Sequence, residues 1–168
     1  VIFTEGIPAI RDTLIIAAAC RRPIRFVIDR RFFDMPILAF VLRAGRAIPS
    51  DFGSIGEAST RRLNDDIASA LEAGELVAAF PEDGVTEDGK LRPFAPWIGR
   101  ILERTPVPAV PLALSGLWGS VFSRRDGSSL NRLANARPFR PIGLAAGVPV
   151  AANAATPETL YQNVLALR

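Results

Sequence analysis

Apolar positions along this chain fall in short runs divided by prolines and glycines, and their spacing alternates between helical and strand-like. Val1 to Phe3 reads as the end of a strand. From Ile10 to Cys20 the period is helical, with Ile10, Leu14 and Ala17-Ala18 on one face. Pro23 breaks that pattern, and Ile24 to Ile28 follows as a strand. Pro36 to Leu42 predicts a short helix, with Met35, Phe40 and Val41 offering apolar surface and Gly45 placed as its stop. Because this helix is apolar nearly all round, burial is expected ahead of contact with lipid. Ala47-Ile48-Pro49 is then a short edge strand.

Ser54 and Glu57 have the spacing of a capping box and open the clearest helix of the chain. Leu63, Ile67, Ala70 and Leu71 form its apolar stripe, Arg61, Arg62, Asp65 and Asp66 its wet face, and Gly74 ends it. Leu76 to Phe80 is the next strand and Trp97 to Leu102 a further helix. Val107 to Leu114 is a strand that its prolines limit to an irregular or edge role. Ser120 to Pro138 reads as loop, Pro141 to Val150 as a last strand, and Thr156-Pro157-Glu158 as the capped start of a final helix. Strands alternating with helices predict an α/β fold, a mostly parallel sheet flanked by helices, in a single domain over residues 1–168.

Composition narrows the function classes. With 168 residues, 49% apolar and 22% charged, the chain can bury a sizeable core and is not disordered. No apolar run approaches the roughly 20 residues that cross a bilayer. No signal peptide is recognisable, and the chain opens mid-pattern without Met, so an excerpt of a longer chain is expected. The single cysteine, Cys20, excludes an internal disulfide and reads as a small core residue. One Cys and no His leave zinc almost nothing to bind, and no metal site is expected.

Charge is uneven. Residues 1–46 hold eight Arg against four acids, residues 51–90 three basic groups against ten acids, and residues 91–140 eight Arg against two acids. Two basic segments suggest a phosphate-bearing or anionic-surface partner, against a background of scattered solvated arginines. A nucleic-acid partner is the rival, but no aromatic-basic interleaving or binding motif supports it, and none is expected.

The most informative stretch runs from Leu76 to Phe94. Its apolar run stops at Pro81, an acid follows at once, and Asp83-Gly84 and Asp88-Gly89 turn the backbone twice. A buried strand can in this way deliver Glu82 to the sheet rim beyond the strands' carboxyl ends, where open α/β sheets bind ligands. An ordinary strand exit with a solvated acid would read the same way.

Phe80-Pro81-Glu82-Asp83-Gly84 resembles the Phe-Pro-Glu-Gly block of the glycerolipid acyltransferases, with one residue inserted before the Gly. This family acylates glycerol phosphate and lysophospholipids. The likeness continues through Pro106-Val107-Pro108-Ala109-Val110-Pro111 and Gly116-Leu117-Trp118-Gly119-Ser120, and is closest to the acyltransferase segment of large bacterial lysophospholipid-recycling proteins. It implies a glycerol-3-phosphate acyltransferase-like fold. It also implies transfer of an acyl group from a thioester, acyl-CoA or acyl-carrier protein, to a lysophospholipid or glycerol phosphate hydroxyl, with no further cofactor.

In the family the general base is a His followed five positions later by an Asp that orients it. Alignment through Asp12 to Ala19 puts Asp12 on that Asp and Ile7 on the His position. The chain contains no histidine. Isoleucine cannot accept a proton, and no other residue type here titrates near neutrality without a large shift. Glu5 is near in sequence, but a carboxylate at another position is a poor replacement. The resemblance assigns Glu82 and Gly84 to acceptor binding, and Arg46 and Arg92 are candidates for phosphate contacts, since a guanidinium fork matches phosphate oxygens.

Three functional readings follow: an acyltransferase domain that is inactive or impaired, a non-catalytic lipid or acyl-carrier binding module, or an active acyltransferase using another base. A cytoplasmic location, peripheral to the inner face of an anionic membrane, goes with all three. Ile7, Asp12 and Glu82 are expected to line one cleft at the carboxyl edge of the sheet with Arg46 or Arg92 nearby, and an apolar patch beside it, with Phe32, Phe33, Met35 and Trp97 as candidate members.

Overall fold

The computed structural model describes residues 7–51, 57–82, 91–115 and 142–168, without the side chains of residues 7–9 and 57. The expectations for Val1 to Phe3, Glu5, Ser54, Gly84 and Ser120 to Pro138 lie outside the described residues.

Helix α1 (Ile7–Ala19) leads through four residues into strand β1 (Ile24–Asp29). A 3-10 turn (Arg30–Asp34) and helix α2 (Pro36–Ala44) return the chain to β2 (Ile48–Ser50). Helix α3 (Glu57–Glu72) then precedes β3 (Leu76–Ala78). These strands form a parallel sheet in the order β2-β1-β3, with Val27 opposite Ile48 and Ile24 opposite Leu76. The α/β architecture with a parallel sheet flanked by helices is the one expected. Helix α4 (Trp97–Arg104), strands β4 (Leu112–Ser115) and β5 (Gly143–Ala146), and helix α5 (Pro157–Ala166) follow among the described residues. Strands β4 and β5 pair antiparallel in a separate two-stranded sheet.

Alternation along β1 divides the core. Phe26 and Ile28 face one side, where they pack with Ile16 of α1, Leu42 of α2, Phe80 and Leu114. Val27 faces the other, against Ile48, Ile67, Ala70 and Ile101. Each such fully buried aliphatic side chain contributes roughly 1.5–3 kcal/mol through removal of its surface from water. The α3 stripe is the one its spacing predicts. A third cluster joins Leu91, Ala113 and Val164, with Phe94 and Tyr161 against it.

Three local expectations are corrected. Helix α1 buries Asp12, Thr13 and Ile16, whereas Leu14, Ala17 and Ala18 are exposed. Its apolar residues are spread widely enough that spacing alone does not select a face. Helix α2 is not buried all round: Ala39 and Leu42 face inward, and Ile37, Phe40 and Val41 face solvent. The third concerns how α2 stops: Gly45 is its C-cap, as expected, but the left-handed residue that closes the turn is Arg46, at φ 52°. Ala47 N–H reaches Leu42 O and Arg46 N–H reaches Arg43 O, a closing turn that demands a left-handed residue at position 46. Gly74, at φ 74°, fills the same role after α3.

Candidate functional site

In a parallel sheet the strand ends define two rims. Asp29, Ser50 and the Phe80-Pro81-Glu82 exit lie at the carboxyl rim; Ile24, Ala47 and Glu75 lie at the amino rim. Helix α1 enters β1 through a short link and packs Ile16 against Phe26, Ile28 and Phe80.

Asp12 lies one helical turn, roughly 5.4 Å along the axis, before Ile16, which is anchored in the core beside Phe80. It is 1% exposed. Arg11 donates to its Oδ1 from Nε at 3.0 Å and Nη2 at 2.8 Å. Asp12 Oδ2 is buried with no hydrogen-bond partner among the described residues. Burial raises the Asp12 pKa above its ordinary value, outweighing the opposing Arg11 charge and hydrogen bonds. Ile7 is the first residue of α1, and its side chain lies outside the described residues.

Glu82 is 6% exposed. Its backbone bridges antiparallel to Phe94, and Ala95 N–H donates to Pro81 O at 2.8 Å. Arg92 N–H donates to Glu82 Oε2 at 3.2 Å. The chain therefore loops back across the strand exit and seats the carboxylate on its own backbone. That return is braced from α5: Tyr161 meets the Phe94 ring edge-on at 5.6 Å and its hydroxyl donates to Leu91 O at 3.5 Å. Underneath, Phe80 stacks on Phe26 with ring centroids 6.4 Å apart.

A family model described as Acyltransferase matches residues 9–115, more than half of the chain and all of its parallel sheet. The chain belongs to the acyltransferase family. No curated protein and no solved structure matches it. The matched segment of this acyltransferase contains Asp12, Arg46, Glu82, Gly84 and Arg92, and begins two residues after Ile7.

The structure gathers some of the expected site residues and separates others. Ile16, one turn after Asp12, and Phe80, two residues before Glu82, share one core cluster. The backbone of Arg92 touches Glu82, and its side chain is exposed beside it. Arg46 stands at the opposite rim, where it pairs with Glu75, which Arg25 also holds at 3.1 Å. A residue just before a parallel strand belongs to the amino rim, and this removes Arg46 from the neighbourhood of Glu82. Hydrogen bonding from Arg25, with the charges of Arg25 and Arg46, lowers the Glu75 pKa despite partial burial.

Other rim residues of the acyltransferase were not singled out by the sequence. Ser50 is 1% exposed and its Oγ has no partner among the described residues. Arg31 clamps Asp29 through Nε and Nη2, and Arg30 lies 3.7 Å from Asp51. Burial tends to raise the Asp29 pKa, but the hydrogen bonds and charge of Arg31 outweigh it and lower it. A signal for these arginines does exist in the sequence: Arg30-Arg31 directly follows a strand, and Glu82 comes shortly after one. Among the described residues no group of three His, Cys, Asp or Glu side chains could hold a metal ion.

The rim thus offers a buried carboxylate, Glu82, and exposed arginine side chains; a carboxylate accepts hydroxyl hydrogens and a guanidinium group attracts anions.

Proposed function

We propose that this acyltransferase domain binds a lysophospholipid or glycerol phosphate at the carboxyl rim and that its transfer of an acyl group from a thioester is impaired. In the reaction the acceptor hydroxyl oxygen attacks the thioester carbonyl carbon, the C–S bond breaks, and the thiolate takes up a proton. The hydroxyl proton needs a base, and a positioned one contributes about 10²–10⁴-fold. The observation that carries this reading is the absence of histidine from a chain that keeps Asp12 buried and charge-paired. A carboxylate whose natural partner is an imidazole is here tied to the neighbouring Arg11. Glu82 and Arg92 serve the acceptor, Glu82 taking a glycerol hydroxyl and Arg92 the phosphate. Gly84 belongs to the same acceptor block by resemblance. The domain works at the inner face of an anionic membrane.

The deciding measurement is thioester release with lysophospholipid, run on the unaltered chain and on Ile7→His. Activity only in the histidine variant is expected, with dependence on Asp12. Robust turnover by the unaltered chain would overturn the reading of impairment. Silence from both, together with no detectable acceptor binding, would overturn the acceptor assignment as well.

A further inference from the structure

Nine large apolar side chains are exposed among the described residues, and four of them, Met35, Ile37, Phe40 and Val41, fall within seven positions. On α2, Ile37, Phe40, Val41 and Ala44 recur at helical spacing and form one outward stripe. Ile37 is 86% and Phe40 75% exposed. The opposite stripe, Leu38, Ala39 and Leu42, is committed to the core. Phe32 and Phe33 pack on the core and Trp97 packs against the cluster on the far side of the sheet. Of the patch members expected from the sequence, only Met35 is therefore part of this surface.

Charge surrounds the stripe. Arg43 is exposed on α2 with no ion pair among the described residues, and Arg30 and Arg31, 65% and 71% exposed, precede the helix. Asp34 is the one exposed acid of the segment from Arg30 to Arg46. Helix α2 starts at the carboxyl rim, because the turn before it leaves the end of β1, the same rim to which β3 delivers Glu82.

We propose that the outward face of α2 is the membrane-docking surface of this domain: Ile37, Phe40 and Val41 insert among the acyl chains of an anionic phospholipid bilayer while Arg30, Arg31 and Arg43 meet its phosphates. This rests on the reading of the acceptor as a lipid, which it supplies with a route to the rim. An exposed apolar stripe rimmed by cations matches the layering of such an interface. A second copy of the chain fits poorly, since an isologous contact would bring the arginine rims of both copies together.

The test is sedimentation of the 168-residue chain with phosphatidylcholine vesicles, with and without phosphatidylglycerol, at low and high salt. Binding to the anionic vesicles that weakens as salt rises is expected. The Ile37→Ser/Phe40→Ser double variant should partition about tenfold more weakly or worse, with its melting temperature unchanged because both side chains are already exposed. Arg43→Glu should weaken binding mainly at low salt. The proposal falls if the double variant sediments like the unaltered chain, or if neutral and anionic vesicles bind it equally. It also falls if the unaltered chain does not sediment, or if ultracentrifugation shows a dimer that Phe40→Ser dissociates. The acceptor reading fails separately, when the Ile7→His variant neither transfers an acyl group from a thioester to a short-chain lysophospholipid below its micelle concentration nor detectably binds that lysophospholipid, with no vesicle present.

Discussion

Arg11 places two donors on one oxygen of its neighbour Asp12, 3.0 and 2.8 Å away, inside the N-terminal half of α1. Adjacent helix residues point about 100° apart, so this contact requires the arginine to bend back over a buried acid. It answers a physical need: an ionised carboxylate at 1% exposure requires a counter-charge.

Arg11→Met is therefore expected to destabilise the fold. Removing one partner of a fully buried pair costs about 3–5 kcal/mol. Arg11 retains 20% side-chain exposure, so water screens part of the charge and a loss below that range is expected. Urea unfolding at neutral pH measures it.

Asp12→Asn should behave in the opposite sense. Burial raises the folded-state pKa of Asp12 above its ordinary 3.8, so the folded chain binds that proton more tightly than the unfolded one. The stability this contributes is fully present below 3.8 and is lost as pH rises through the folded value. The asparagine variant should gain relative to the unaltered chain as pH rises across that window. Melting temperatures of both proteins, followed from roughly pH 3 to about pH 8, decide the sign.

Arg46→Gly should leave the fold as stable as before or slightly more so. A non-glycine residue in the left-handed region costs about 1–2 kcal/mol, whereas the exposed ion pair with Glu75 is screened by water and contributes less. Binding of glycerol phosphate by this variant should be unchanged, and Arg92→Ala should weaken it; calorimetry reads both. Equal loss in the two variants would restore Arg46 to the site.

Phe80→Ala removes a ring from the core beneath Glu82 and its stacking with Phe26. A cost of about 3–5 kcal/mol is expected by chemical denaturation, from lost burial and the cavity left behind.

Much of this arrangement can be read along the chain. The α3 stripe, the capped start of α5 at Thr156, and the delivery of Glu82 at a strand exit all follow from spacing and turn chemistry. The rest is decided by packing between distant segments. Helix α2 carries apolar residues on every side, and only the position of the sheet determines that Leu42 turns inward and Phe40 outward. The burial of Asp12 in place of Leu14 is invisible to a hydrophobic pattern, because it runs against it. Arg46 misleads for a different reason: its proximity to a strand is plain, but its side of the sheet depends on which end of that strand it precedes. The pairing of β4 with β5 joins Leu112 to Ala146 across a long separation, and no local signal fixes such a register.

The aromatic contact between Phe94 and Tyr161 carries a lesson about boundaries. The segment recognisable as acyltransferase ends at Ser115, yet the ring that steadies the backbone around Glu82 belongs to a helix that begins at Pro157. Heredity, as sequence similarity records it, and mechanical support are thus drawn on different maps of the same chain. A truncation made at the edge of the recognisable segment would keep every residue named for chemistry and remove the strut that holds one of them still.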